Sequence, residues 1–390
     1  AQGPEAVESL LELTAALGLE GKAESGLLEI PDITNARGLR EVGCLPDAGP
    51  GLSEVPAGRD VEEIRAGLES GEVKSLVLFG VDPLRDFPDT EGWRRALEAA
   101  ESVICFSMTA TDSSEYADVI FPTESHAEKD GTVTHTEGRI QRVRPSAKRP
   151  GEIRPGWMVL AELSAAIGHE TNIHSGPQAL QAITEAVPFY AGLNDSEIGG
   201  RGIRWQDRSQ AGSFVGAGAA DVTVSAGTTA TSATPTAPAA ETVSSTEAGG
   251  ADIAPAGVVP PEDVMSAPPA PNANGDGTLT LGTYRDIWAN PATDLSPALN
   301  YLIPAQRLEI ATADAKRLGL SRGDVVGVKS GDHEVVARVA VRGAMPEGTC
   351  FLMEGTLEGN ANVFANGQPA QVEIGKPSVA LDLVQAGGES

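Results

Sequence analysis

The stretch EKDGTVTHTEGRIQRVRP, residues 128–145, gathers Lys129, His135, Arg139, Arg142 and Arg144 around Gly131 and Gly138. The chain as a whole has 28 Lys and Arg against 55 Asp and Glu, so cations are scarce elsewhere. Guanidinium groups present planar forks of N–H donors that match phosphate or carboxylate oxygens in pairs, and glycine lets a backbone approach closely. The stretch therefore reads as an oxyanion-binding loop. A solvated basic loop pairing with acidic neighbours stays open as a second reading. The next candidate is FGVDP, residues 79–83, where Asp82 and backbone N–H groups follow an apolar run. It suits a ligand contact and, equally, a tight turn closed by an Asx bond at Asp82.

Other chemistry finds less support. HETNIH carries His169 and His174 five positions apart, one more than the zinc-binding HExxH pattern. At roughly 100° per residue the two side chains would stand about 140° apart on a helix. They read as surface histidines past a helix end. Cys44, Cys105 and Cys350 form no CxxC pair and no iron–sulfur spacing, and Cys105 lies in an apolar run that suits a core thiol. No P-loop, nucleophile elbow or Gly-rich dinucleotide fingerprint occurs, and no carboxylate pair stands out as an acid–base couple.

These candidates need elements to hold them. VKSLVLFGVDP is a short apolar run closed by Gly80, Asp82 and Pro83, the profile of a buried parallel strand and its C-terminal loop. TEGWRRALEAAE follows as a helix, with Thr90 as N-cap and Trp93, Leu97 and Ala100 on one face. SVICFSMTA is a second strand, completing a βαβ unit, and ADVIFP a third. The loops after Gly80, Met108 and Pro122 then share the carboxyl edge of one sheet, where open α/β sheets bind ligands. Residues 128–145 depart from that edge. GWMVLAELSAAIG reads as a further helix, stopped by Gly168.

Composition changes from about Gln206 to Gly277, where Ala, Gly, Ser, Thr and Pro dominate. Residues 211–270 contain no Lys or Arg and one aromatic, Phe214. So little apolar surface cannot offset the cost of ordering a backbone, so the reading is a disordered linker, 206–277. After it, TADAKRLGL gives a helix stopped by Gly319, and GDVVGVKSGDHEVVARVAV gives two alternating strands around Ser330, Gly331 and Asp332. Another turn at Pro346–Gly348 precedes a strand, and the whole suggests a small β-barrel over 278–390. The fold class expected is thus α/β: a partial doubly wound parallel sheet within 1–205, a linker, and a barrel.

The formal net charge of −27 argues against nucleic acid and against direct adsorption to an anionic membrane. Scattered cysteines fit a reducing cytoplasm. The opening residues read as an amphipathic helix without a basic leader and without an initiator Met, which suggests the later part of a longer polypeptide.

GVDPLRDF, TDSSEYADVIFPTESHAEKDGTVTHTEGRIQRVRP and LGLSRGDVVGVKSG with PEGT follow the motif order of the molybdopterin oxidoreductase family. The resemblance covers nearly all of residues 20–205 and 278–385. Three stretches, NARGLREVGCLPDAGPGLSE, EKDGTVTHTEGRIQRVRP and TYRDIWANPATDLSPALNYLIPAQRLEI, most resemble the large iron–sulfur subunit of bacterial NADH:quinone oxidoreductase, complex I. That resemblance implies a double-psi type barrel. It also implies a non-catalytic scaffold in the hydrophilic arm, beside NADH/flavin-binding and quinone-proximal subunits, on the cytoplasmic face of the plasma membrane. No cofactor is expected within this chain, and 4Fe-4S and 2Fe-2S clusters are expected only in a segment preceding it. The alternative is a bis-molybdopterin guanine dinucleotide oxidoreductase such as a formate dehydrogenase alpha subunit. In that case Asp82, Arg139, Gln141 and Asp324 would contact the pterin nucleotide.

Overall fold

The computed structural model describes residues 4–19, 22, 25–31, 33–214, 278–356, 359–365 and 370–378. The linker assigned from composition lies, from residue 215 onward, outside the described residues. Gln206–Phe214 belong instead to the fold: they form 3-10 turns, Ala211 is buried, and Phe214 packs on Phe189 and Trp205 at 5.1 Å between ring centroids. One aromatic at the end of a low-complexity run is enough to anchor that stretch.

Three parallel strands, β1 (Ser75–Phe79), β2 (Ser102–Ser107) and β3 (Val119–Pro122), form a sheet in the order β1-β2-β3. Leu76 and Leu78 of β1 and Val103 and Cys105 of β2 face two helices, Val61–Ser70 and Thr90–Ala99, through Leu68, Trp93, Ala96 and Leu97. Burial of each larger apolar side chain there contributes ~1.5–3 kcal/mol. On the opposite face Phe79, Phe106 and Phe121 form a ladder, with ring centroids 4.9 and 5.1 Å apart. The helix Gly156–Ala166 starts against that ladder. A Cβ on Gly156 would come within 2.6 Å of Phe79 Cζ, so glycine is what permits the approach.

The helix Val61–Ser70 opens with a capping box between Asp60 and Glu63 and ends at left-handed Gly71. The helix Thr90–Ala99 is capped by Asp89, whose carboxylate accepts from Gly92 N–H at 3.0 Å. Thr90, expected as the cap, is instead the first helical residue. Both types cap well, and the carboxylate one position earlier takes the role.

The basic stretch is a β-hairpin, where the sequence suggested an open loop. β4 (Gly131–Thr134) and β5 (Arg139–Val143) pair antiparallel, and β6 (Ile203–Arg204) extends them. Gly138 sits at φ 82 in the turn, and its N–H donates to the His135 carbonyl at 2.8 Å. Ile140 anchors the hairpin to a core of Val187, Phe189, Tyr190, Leu193, Ile198 and Trp205.

The remaining strands, β7 (Thr278–Tyr284), β8 (Arg307–Ala311), β9 (Val325–Ser330), β10 (His333–Arg342), β11 (Thr349–Met353) and β12 (Gln371–Gly375), close into a barrel. Its order is β10-β8-β11-β7-β12-β9, with β9 and β10 joined by the expected hairpin. Alternation points Leu279, Leu308, Ile310, Val328, Leu352 and Val372 into its core. No described helix is long and apolar enough to cross a membrane.

Candidate functional site

The polypeptide leaves β1 through Gly80, at φ 66, and turns inward at Asp82. Asp82 is buried, and its carboxylate accepts a hydrogen bond from the Ser113 hydroxyl, which follows β2. Ser113 Oγ in turn accepts from the Leu84 backbone N–H at 3.2 Å. Burial pushes the Asp82 carboxyl above the usual carboxylate range; the Ser113 bond opposes that, and Asp86 and Asp112 add to it. Asp82 therefore ties two strand ends together. It caps no helix by its side chain, so the Asx turn does not form.

The residue three positions on makes the larger connection. Arg85 is buried, its Nε donates to the Gly355 carbonyl at 2.6 Å, and its Nη1 lies 2.5 Å from Asp294 Oδ2. The Arg85 carbonyl accepts from Asn360 Nδ2 at 3.1 Å and from Asn362 Nδ2 at 2.8 Å. Asp89 N–H donates to the Asn362 carbonyl at 3.2 Å. Asn360 Oδ1 accepts from the N–H groups of Gly355 and Asn362, so the barrel loop is itself braced. The carboxyl edge of the sheet is thus fastened to the barrel by one guanidinium and two asparagines. A cavity of about 250 Å³ lies along this seam, between the Leu84–Arg94 region, Asp112 and the barrel residues 333–335, 356, 359, 360 and 363.

The arginines of the hairpin are mostly engaged already. Arg139 Nε donates to Glu137 Oε1 at 2.8 Å. Arg142 reaches Asp130 at 3.4 Å and forms an ion pair with Asp195. Gln206 Nε2 donates to the Glu137 carbonyl at 3.0 Å across the turn. Gln141 is exposed on β5, opposite Val133, and Arg144 is exposed beyond the strand end. Under the hairpin, buried Glu41 accepts from Arg37 Nε at 2.8 Å, from Trp205 Nε1 at 3.1 Å and from the Tyr190 hydroxyl. Asn35 Oδ1 accepts from Thr134 N–H at 2.8 Å, which fixes β4 from the same side. Burial and the Glu41 charge both raise the Tyr190 phenol, so it stays protonated and donating.

Asp324 lies on the barrel, exposed in the turn before β9, and accepts from Ser321 N–H at 2.7 Å. Among the described residues no hydrogen bond or ion pair joins Asp82, Arg139, Gln141 and Asp324 to one another. Nor does any group of three or more His, Cys, Asp or Glu side chains stand where it could hold a metal ion. Cys105 is buried in β2, where burial raises its thiol. Arg85, Asn360 and Asn362 carried no signal in the sequence. Arg85 meets its partners some 270 residues away, and only the fold brings them together.

Comparison with known proteins gives this geometry a family. The Molybdopterin oxidoreductase family matches residues 4–166, and the Molydopterin dinucleotide binding domain matches 279–377. Among curated relatives, the NADPH-Fe(3+) oxidoreductase subunit alpha of Geobacter sulfurreducens is 34% identical over 48% of this chain and 24% of its own length. The F420-dependent formate dehydrogenase subunit alpha of Methanocaldococcus jannaschii is 25% identical over 93% of this chain and 53% of its own length. An NADH-quinone oxidoreductase subunit of Rhizobium meliloti, the second of its G type, is 27% identical over 94% of this chain and 40% of its own length. This chain therefore spans only about a quarter to a half of these relatives. Acetylene Hydratase from Pelobacter acetylenicus superposes with a TM-score of 0.54 at 13% identity, over 82% of this chain and 47% of that one, a likeness of fold. With its sheet and barrel regions each matched by a domain of that family, the chain belongs to the molybdopterin oxidoreductase superfamily.

Proposed function

We propose that this chain is a scaffold portion of a respiratory NADH:quinone oxidoreductase, equivalent to the C-terminal part of its large iron–sulfur subunit. It divides into an α/β domain (1–205), a linker (206–277, its first residues folded back) and a barrel (278–390). It braces the hydrophilic arm against NADH/flavin-binding and quinone-proximal subunits on the cytoplasmic face of the membrane and carries no redox centre itself. Iron–sulfur clusters belong, on this reading, to a preceding segment.

One observation carries the proposal: of the positions that would cradle a pterin dinucleotide, Asp82, Arg139 and Asp324 already have partners within the chain. Arg139 and Arg142 are neutralised by Glu137, Asp130 and Asp195. Asp82 is turned to Ser113 and Arg85 clamps the barrel onto the strand ends. The cavity on the barrel seam, about 250 Å³, falls below the ~300–1,000 Å³ that ligands of drug size occupy, whereas one of about 620 Å³ beside Phe121, Pro122 and Arg154 falls within it. The barrel seam as arranged is too small for a pterin dinucleotide. The NADH-quinone oxidoreductase relative aligns across both halves of the chain, which agrees with the reading.

The similarity to a formate dehydrogenase alpha subunit over 93% of the chain favours a second reading, a bis-molybdopterin guanine dinucleotide oxidoreductase. Asp82, Arg139, Gln141 and Asp324 would then turn toward the nucleotide, and Arg139 and Arg142 would exchange carboxylates for phosphates.

Affinity isolation of the full-length protein from gently solubilised membranes separates the two. Co-isolation of NADH:quinone reductase activity with flavin-binding and quinone-proximal partners is expected. Recovery of the protein free of such partners, with a soluble formate-oxidising activity, would reverse the assignment.

A further inference from the structure

The seam between sheet and barrel holds more unsatisfied polar groups than a finished interface should. Arg85 Nη2, Thr90 Oγ1 and Thr356 Oγ1 are each buried without a hydrogen-bond partner in the chain. All three residues are more than nine-tenths buried, and all three line the same cavity of about 250 Å³. An unpaired buried polar atom costs about 1–3 kcal/mol, so three in one wall call for a partner. A guanidinium N–H can only donate, and a threonine hydroxyl can donate or accept. The group that satisfies all three presents oxygen acceptors.

The rest of the lining narrows the choice. Glu91 lies 3.6 Å from Arg94, and Glu334 lies 3.5 Å from Lys329 and accepts from Ser378 N–H at 2.9 Å, so both are neutralised locally. Asp112 stands exposed at the opening. Arg85 already shares its charge with Asp294. Both guanidinium groups in the lining are already paired, Arg85 with Asp294 and Arg94 with Glu91, which disfavours a polyanion such as a diphosphate, and a metal cation has no ligand set beside them. A single carboxylate suits the inner wall, and a donor on the same small molecule suits Asp112.

We propose that this cavity binds a small carboxylic acid bearing a hydroxyl or amino donor, its carboxylate held by Arg85, Thr90 and Thr356. Ligand binding then stiffens the union of sheet and barrel. This rests on the scaffold reading, because a pterin dinucleotide would require the same seam to open.

The test uses thermal unfolding and calorimetric titration of the full-length protein at constant ionic strength, with lactate, glycine and acetate as probes and chloride as control. Saturable binding of lactate or glycine, tighter than acetate and absent with chloride, is expected. Lactate alone would assign the donor as hydroxyl, and glycine alone as amine. The double variant T90V/T356V keeps side-chain shape and removes both hydroxyls. It should bind about tenfold or more weakly, from the loss of two hydrogen bonds. Without ligand it should unfold at the same or a higher temperature than the parent, because a methyl replaces an unpaired hydroxyl. The inference fails if neither probe saturates, if the variant binds as well as the parent, or if the unliganded variant melts clearly lower. Acid extraction of the same sample separates this failure from that of the scaffold reading: released pterin overturns the latter, whereas missing saturation without pterin overturns only the cavity ligand.

Discussion

Two side chains at the end of β1 set the character of this site, and they respond oppositely to substitution. Asp82 keeps a carboxylate where burial disfavours its charge, and its carboxyl is accordingly raised. A carboxyl raised in the folded state contributes stability that is present at low pH and is lost as pH rises through the folded value. Asp82→Asn, which still accepts from Ser113, should therefore gain stability relative to the parent at pH 7 compared with pH 4, read by urea unfolding at both. An equal loss at both pH values would mean that the hydrogen bond, not burial, dominates. Arg85 is the reverse case, a buried cation whose partners depend on it. Arg85→Ala leaves Asp294 charged and alone, 6% exposed, and should lower stability by about 3–5 kcal/mol. Breaking the exposed Lys74–Glu101 pair, at 64% exposure on each side, should cost below about 1 kcal/mol. Asp82 was legible in the sequence because Gly, Asp and Pro after an apolar run mark a strand end. Arg85 was not, because its partners Asp294, Gly355, Asn360 and Asn362 lie far along the chain.

At the scale of elements, apolar runs identified β1, β2 and β3, and the Ser330-Gly331-Asp332 turn identified the pairing of β9 with β10. The basic hairpin escaped because its strands carry few apolar side chains. In RIQRV only Ile140 is fully buried, and in GTVT the buried position is Thr134. The signal was present in the alternation of those two segments about HTEG, a short turn with glycine where φ is positive. What holds the hairpin is a polar network that no periodicity reveals: Glu41 joins Arg37, Tyr190 and Trp205, while Asn35 holds β4. Tyr190→Phe leaves the Glu41 carboxylate short of a donor and should cost about 1–3 kcal/mol. Hydrogen exchange should quicken in β4 and β5 and stay unchanged in β1 and β2. Uniform quickening across both sheets would assign the network a global role instead.

For the whole molecule, composition placed a compositionally distinct stretch between an α/β region and a barrel, and the sequence order of both regions agrees with the family matches. The boundary moved because Phe214 packs onto Phe189 and Trp205, a contact invisible in a run of Ala, Gly and Ser. Limited digestion with elastase should cut first within 215–277 and leave two fragments that remain associated, since Arg85, Asn360 and Asn362 bind sheet to barrel without the linker. In the Arg85→Ala variant the fragments should separate on size exclusion; parental fragments that separate unaided would show the seam to be weak. We propose that Asp82 and Arg139 are held by partners within the chain in place of a pterin nucleotide, with Arg85 clamping the barrel beside them. Metal and pterin analysis of the full-length protein, isolated without oxygen, tests it most directly. The account predicts neither molybdenum nor tungsten and no extractable pterin, and a stoichiometric metal with guanine-dinucleotide pterin would contradict it.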